Sequence, residues 1–364
     1  MSQRPFTSRR CYAAAHVCML PEYADLGRSL DNPSPPEELL EHLDWPTTLA
    51  FRQRLSDLGF GIAEAMDTAQ RFDLGWPGAK ALIERTAALN LAGGFCAGAG
   101  TDHLERTDSW SDLVDGVLFQ ADLIARAGGV PVILPMPRLT AERADASTYR
   151  EVYGAIARGL NGPAVLHWLG PMFLASLEGY FPGDSFLDVM RAHPDVYRGA
   201  KLSLLDADLE VRLRRELAAT DQLIFTGDDF NFARLIRGGD PHSDAAPIPE
   251  AQRQVPFGDE QLGLGDFSHA LLGIFDGIAA PASRALTALD TGDERTYLET
   301  MLPLETLGRH VFETPTQHYK AGLAHLAHWA GHQPNPMLPH RAEQARDGHH
   351  LRQLKSLGIS AGAL

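Results

Sequence analysis

The stretch Arg198-Gly199-Ala200-Lys201-Leu202-Ser203-Leu204-Leu205-Asp206 sets one lysine in an otherwise apolar, strand-like run. A lysine so flanked either snorkels to water from a strand edge or is held in place for chemistry. A desolvated amine loses part of its proton affinity, and a neutral amine can attack a carbonyl to form a Schiff base. Choosing between the two requires the place of this strand in the fold.

Outward from Lys201 the chain alternates between short apolar runs and amphipathic stretches. Upstream, Cys11 to Cys18, Ile62 to Ala65, Phe95 to Ala99, Val130 to Leu134 and Ala164 to Leu169 read as strands. The lysine strand, Gly199 to Leu205, is the sixth; Gln222 to Thr226 and Ala270 to Phe275 follow. Helical patterns lie between them, among them Ala79 to Leu89, Trp110 to Ala127, Tyr149 to Leu160, Ser185 to His193 and Asp208 to Ala218. Connections of this length require parallel strands, and eight of them fit an α/β fold closed as a (β/α)₈ TIM barrel better than an open sheet. Neither Gly-x-Gly-x-x-Gly nor a Walker loop stands at a strand-to-helix junction, which argues against dinucleotide or nucleoside triphosphate chemistry. After Gly277 the chain reads as additional C-terminal helices. We therefore expect residues 1–290 to form the barrel, with a long 238–265 insertion, and residues 291–364 to form a helical extension packed on it.

The 364 residues carry a formal charge of −15, and the pI is about 5.4. Such a surface repels nucleic acid and anionic membranes, and no run approaches the roughly 18 apolar residues of a membrane helix. Cys11, Cys18 and Cys96 are too few and too irregularly spaced for a disulfide framework or a zinc knuckle, so they read as buried free thiols. The expectation is a soluble cytoplasmic protein acting on a small molecule.

In a barrel, chemistry sits at the carboxyl ends of the strands. The polar residues there are His16, Glu64, Asp67, Thr68, Thr101, Asp102, Arg138, His167, Trp168, Lys201, Ser203, Thr226, Asp228, Asp229 and Asp276. Singly, each has a plain structural role: Asp67, Asp102 and Asp228 can cap helices, and a lone His16 or His167 can be a hydrogen-bonded core residue. Acids, imidazoles and an amine converging from separate strands form a set that a packing core avoids and a site needs.

Order and spacing resemble the dihydrodipicolinate synthase and N-acetylneuraminate lyase family, whose members form a Schiff base on a sixth-strand lysine. Gly199-Ala200-Lys201 is similar to that family's Gly-Ile-Lys segment, and Phe225-Thr226-Gly227-Asp228-Asp229 to its Ser-Gly-Asp-Asp. Gly98-Ala99-Gly100-Thr101 sits where its third strand ends in a Gly-x-Gly-Ser type turn, and Ala279-Ala280-Pro281 through Gly292-Asp293 resembles its Val-Ala-Pro through Ala-Gly-Asp. The resemblance covers most of Gly59 to Thr300 and marks the chain as a divergent branch. It implies Lys201 as the imine-forming residue, no cofactor, and a homo-oligomer, dimer or tetramer.

Two departures bear on function. Met66-Asp67-Thr68-Ala69-Gln70 replaces the family's carboxylate-binding Gly-Thr-Thr-Gly-Glu turn, and an aspartate there repels an anion. His167-Trp168-Leu169-Gly170 replaces Tyr-Asn-Val-Pro, so the proton relay of the family's tyrosine falls to His167. The leading expectation is a class I lyase or aldolase acting on a hydroxyl-rich keto sugar or sugar-acid derivative. In it Lys201 and His167 are catalytic, and His16, Glu64, Asp67, Thr68, Thr101, Asp102, Trp168, Ser203, Asp228 and Asp229 bind substrate. One alternative is a divalent-metal-dependent sugar isomerase, epimerase or lyase using His16, Glu64, Asp67, Asp102, His167 and Asp228 as ligands, though no short ligand motif supports it. A third reading is a retired barrel that binds a ligand without turning it over. His310, His318, His325, His328 and His332 fall on the helices after the barrel, where core or interface packing is the expected role, and His349-His350 reads as a solvated pair.

Overall fold

The computed structural model describes residues 4–243 and 253–364. In chain order its strands are β1 (Cys11–Ala14), β2 (Gly61–Glu64), β3 (Phe95–Ala99), β4 (Val130–Ile133), β5 (Ala164–Leu169), β6 (Tyr197–Ser203) and β7 (Leu223–Thr226), then β8 (Arg253–Phe257), β9 (Glu260–Leu264) and β10 (His269–Leu272). Eight of them close into a barrel in the order β1-β10-β7-β6-β5-β4-β3-β2, and β8 and β9 form a separate antiparallel pair. The expected TIM barrel with C-terminal helices is therefore what the chain forms. Its strands are buried almost throughout, as in parallel sheets covered on both faces.

The helices between strands begin where short polar side chains can satisfy the first free amides. Ser109 and Asp112 make a reciprocal capping box for the helix Trp110–Arg126. Asp44, Asp145, Asp206 and Asp293 each accept a backbone N–H at the start of the helix that follows. The first and last barrel strands are shorter than the apolar runs suggest. Beyond Ala14 the chain leaves the sheet because side chains take its backbone groups: Arg52 donates to the carbonyls of Ala15 and His16 (3.4 and 2.8 Å), and the Cys18 amide donates to the Thr48 hydroxyl (3.0 Å). At the other end of the barrel sequence β10 stops at Leu272, and Phe275 already opens the helix Phe275–Asp290.

The chain groups into two compact units. One comprises Met1–Thr7, Tyr12–Phe95 and Leu272–Leu364; the other comprises Ser8–Cys11 and Cys96–Leu271. The first contains β1, β2 and the helices after the barrel, including Glu294–Val311, Tyr319–Trp329 and Gly348–Ser360. The second holds β4 to β9.

The 238–265 insertion lies in the second unit, and its residues 244–252 are outside the described residues. The described part contains the β8–β9 hairpin, with Phe257 opposite Glu260. Arg198, near the start of β6, donates to the Pro256 carbonyl (2.9 Å), and the Phe257 ring lies 5.4 Å from that of Phe225. The hairpin thus packs toward the amino-terminal side of β6, not over the carboxyl ends where a lid would act. All three cysteines are buried. Among the described residues no helix is long and apolar enough to cross a membrane.

Candidate active site

Strand alternation assigns each side chain to one face of the sheet. On β7 the Thr226 hydroxyl donates to the Glu210 carboxylate (3.0 Å) on the surrounding helix Ala207–Ala218. Thr226 therefore faces the helices, and its neighbour Phe225 faces the barrel interior. Register pairs Lys201 with Phe225, and His167 with Lys201, so all three point inward. Ser203, two residues after Lys201, shares that face, and its Oγ lies 3.2 Å from His167 Nε2.

Two glycines make room for this group. A Cβ at Gly199 would meet the Phe225 ring at 2.8 Å, so the absence of a side chain there lets that ring lie beneath Lys201. A Cβ at Gly227 would meet Ser203 Oγ at 2.2 Å and Lys201 Cε at 2.9 Å. The lysine chain runs over the bare backbone of Gly227, which fixes its course.

His167 is buried, and burial, reinforced by the Lys201 ammonium, holds its pKa well below the usual histidine value. It is neutral at ordinary pH. Its Nδ1 is buried without a hydrogen-bond partner. A neutral imidazole beside an amine can take a proton from it or from an adduct formed on it.

Behind β7 a second acidic group is held. The Glu210 carboxylate accepts from Thr226 and from Ser268 Oγ (2.7 Å), and burial together with the nearby Asp228 raises its pKa to about 8. Asp228 itself accepts from the amides of Phe230 and Asn231 (2.9 and 3.1 Å) and from Asn231 Nδ2 (2.8 Å), the turn-capping role open to it from sequence. Asp229, next to it, is buried.

The other unit carries the remaining candidates in a different state. His16 Nδ1 lies 2.7 Å from Asp276 Oδ2, and its Nε2 lies 2.7 Å from Gln333 Oε1. The Gln333 amide nitrogen donates to the Ala324 carbonyl (3.0 Å), so Oε1 is an acceptor. Both His16 nitrogens thus face acceptors, which requires an imidazolium. Burial opposes that charge, but Asp276 outweighs it and lifts the pKa to about 10.

Glu64 points away from the barrel interior. Its carboxylate pairs with Arg52 through two bonds (2.6 and 2.9 Å) and accepts from Thr86 Oγ1 (2.6 Å) and the Ala65 amide (2.8 Å). Arg52 and Thr86 lie on the flanking helices Trp45–Asp57 and Arg71–Ala88. Asp67 accepts from Lys320 Nζ (2.8 Å) and Tyr319 Oη (2.9 Å), and Thr68 Oγ1 lies 2.9 Å from the same Tyr319 hydroxyl.

Of the residues expected at the site, the second unit brings Lys201, His167 and Ser203 together on one interior face. Trp168 alternates to the other face of β5, its ring 5.3 Å from Phe181 and 4.8 Å from Phe186, part of an aromatic group that includes Tyr149, Tyr153 and Tyr180. Asp102 accepts from Gln120 Nε2 (3.0 Å), while Gln120 Oε1 accepts from the Gly100 amide (2.6 Å). That glutamine orders the turn after β3, where Thr101 also lies. Glu210, Gln120, Lys320 and Arg52 escaped the sequence reading because each sits on a helix, where a polar residue on the covered face has no distinguishing pattern.

A family model described as "Protein of unknown function (DUF993)" matches residues 1–364. The chain belongs to that family. No curated protein matches this DUF993 sequence. Among solved structures it is similar to dihydrodipicolinate synthase from Oceanobacillus iheyensis, at 14% identity over 98% of this chain and 97% of that one, with a TM-score of 0.62. It is also similar to YagE from E. coli K12, a prophage protein of the dihydrodipicolinic acid synthase family in complex with pyruvate, at 13% identity, 98% and 99% coverage and a TM-score of 0.68. A variant of Sulfolobus solfataricus 2-keto-3-deoxygluconate aldolase is similar at 12% identity, 98% and 96% coverage and a TM-score of 0.59. The DUF993 chain thus shares the barrel fold of these structures, the fold implied by the Gly199-Ala200-Lys201 resemblance.

Proposed function

We propose that this DUF993 chain is a class I lyase of the aldolase type whose Lys201 forms an imine with a small carbonyl substrate. The observation that carries the reading is the register pairing of His167 with Lys201 on one interior face, the imidazole held neutral. Lys201 Nζ, as the free amine, attacks the substrate carbonyl carbon. His167 carries a proton from the attacking nitrogen to the carbonyl oxygen, giving the neutral carbinolamine, and a second proton, drawn from solvent, lets the hydroxyl leave as water while nitrogen keeps its remaining hydrogen. The resulting iminium draws the electron pair of the breaking bond into an enamine, and reprotonation and hydrolysis restore the lysine. Ser203, bonded to His167 Nε2, orients the ring.

For the substrate we propose a hydroxyl-bearing keto acid of the sugar-acid type. One solved neighbour is an aldolase for 2-keto-3-deoxygluconate and another was solved with pyruvate. The sequence argument against an acidic substrate was the charge of Asp67, and Lys320 meets that charge at 2.8 Å. The metal-dependent alternative has less support. Among the described residues, the His, Cys, Asp and Glu side chains near enough to share one ion are His310, Glu313 and His350, none of them at a strand end.

Borohydride reduction in the presence of 2-keto acids and keto sugars, read by intact mass, tests the reading. The expected result is one substrate-sized adduct on the wild-type chain that is lost in Lys201→Ala. Turnover that survives Lys201→Ala would sink it.

A further inference from the structure

The helices after the barrel carry a second constellation of ligating side chains. His310 lies in the last turn of the helix Glu294–Val311, Glu313 follows three residues later, and His350 lies in the first turn of Gly348–Ser360. His310 Nδ1 is 3.1 Å from Glu313 Oε2, and His350 Nδ1 is 2.8 Å from Glu313 Oε1. The two rings stack, centroids 4.0 Å apart at 20°. All three residues belong to one compact unit.

Proton counting shows what this arrangement lacks. His310 Nε2 lies 3.0 Å from the His350 carbonyl, an acceptor only, so that nitrogen carries the hydrogen. In a neutral ring Nδ1 is then a lone pair, and it faces a carboxylate oxygen. Two lone pairs at hydrogen-bond distance repel unless a cation lies between them. A proton could serve at His310, as it does at His16, but it would place an imidazolium flat against the stacked His350 ring. A ring N–H that donates to a backbone carbonyl, leaving the other nitrogen as a lone pair, is the usual outer-shell arrangement of a metal-bound histidine. On His350 the far nitrogen, Nε2, is buried without a partner, so nothing fixes the ring's hydrogen on Nδ1, and that nitrogen can equally present its lone pair to an ion.

We propose that His310 Nδ1, His350 Nδ1 and the Glu313 carboxylate bind a divalent transition-metal ion, zinc being the best match. Two imidazoles and one carboxylate are a zinc donor set. Donors around a tetrahedral zinc with bonds of about 2.0 Å stand roughly 3.3 Å apart, close to the separations here. Both histidines are buried, whereas the Glu313 side chain is 47% exposed, which leaves one side open for a water ligand. The nearby Arg346 turns its guanidinium onto the carbonyls of Val311, Glu313, Thr314 and Pro315. The ion would fasten the C-terminal helix Gly348–Ser360 to the end of Glu294–Val311, a structural role independent of the imine at Lys201.

The test uses the full chain, stripped with chelator and titrated with zinc sulfate in a calorimeter, with cobalt(II) as a spectroscopic substitute. One equivalent of zinc is expected, with a raised melting temperature and a four-coordinate cobalt absorption spectrum. In Glu313→Gln and His350→Gln the bound equivalent and the cobalt spectrum should be lost, while borohydride trapping at Lys201 is unchanged. Wild-type protein that binds no zinc, or that shows only six-coordinate cobalt, overturns the proposal, as does one equivalent retained in both variants. The wild-type measurements suffice even if a variant fails to fold.

Discussion

His16 and His167 are both buried imidazoles that follow or end a barrel strand, yet they carry opposite charge states. Burial alone would strip the proton from each. At His16 the Asp276 carboxylate and the Gln333 oxygen face the two nitrogens, and the ring is held as a cation with a pKa of about 10. At His167 the neighbour is the Lys201 ammonium, and the ring is held neutral. Burial drives both rings toward the neutral form, and the sign of one neighbour decides whether that is reversed, as at His16, or reinforced, as at His167. His16 has every nitrogen committed; His167 has Nδ1 uncommitted.

Changing one neighbour at a time separates the two states. The largest effect is expected from Lys201→Ala, which removes the proposed nucleophile. Turnover should fall on the order of 10⁶-fold, as for other residues that form the covalent bond. The His167 resonance should then titrate at higher pH, which NMR can follow. If the histidine's titration does not move, burial alone holds it neutral and the Lys201 charge adds nothing.

Asp276→Asn addresses the other side. Removing one partner of a buried charged pair costs about 3–5 kcal/mol, so chemical denaturation should report a loss of that size. A loss under about 1 kcal/mol would mean that the His16 cation is stabilised by something other than Asp276. His167→Gln should lower turnover by about 10²-fold, within the range for a general base, with a much smaller change in stability. Equal loss of stability in the two histidine environments would erase the distinction.

The smallest expected effects are in pH dependence. His16 has a raised folded pKa, so its contribution is complete below the unfolded value near 6.5 and is lost as pH rises toward about 10. Asp276→Asn should flatten that alkaline decline. Glu210 is a carboxyl with a raised pKa, holding in the fold a proton that the unfolded chain releases. Stability should therefore fall between about pH 4.5 and 8, and Glu210→Gln should remove that slope in denaturation curves taken across the window.

Much of this fold is legible in the sequence because period and length are local properties. The apolar runs from Phe95 to Thr226 fall where strands form, and Gly199-Ala200-Lys201 leads to the right strand. What was not legible is parity and partnership. Glu64 ends its strand as expected, but a side chain on the other face of β2 would have entered the barrel, and Glu64 meets Arg52 and Thr86 instead. Trp168 differs from His167 by one position and so by one face. Asp67 looked like an uncompensated charge because its cation, Lys320, lies 253 residues away. The β8–β9 hairpin does carry an alternating signal, Val255, Phe257, Leu262 and Leu264 about the turn Gly258-Asp259, but only two apolar residues a strand stand out from the long polar connection.

The aromatic group around Trp168 gives this half of the molecule an optical lock. Tyr149 has its pKa pushed up to about 12 by burial, and burial raises Tyr153, Tyr180 and Tyr197 further still. Tyr180 donates to or accepts from Tyr153 at 2.7 Å, and Tyr197 donates to the Tyr153 carbonyl, so these phenols hold one another in the protonated form. In an alkaline titration they can become phenolates only as the fold around β5 and β6 opens. The late step in near-ultraviolet absorbance would therefore time the breach of the layer that backs His167 and Lys201.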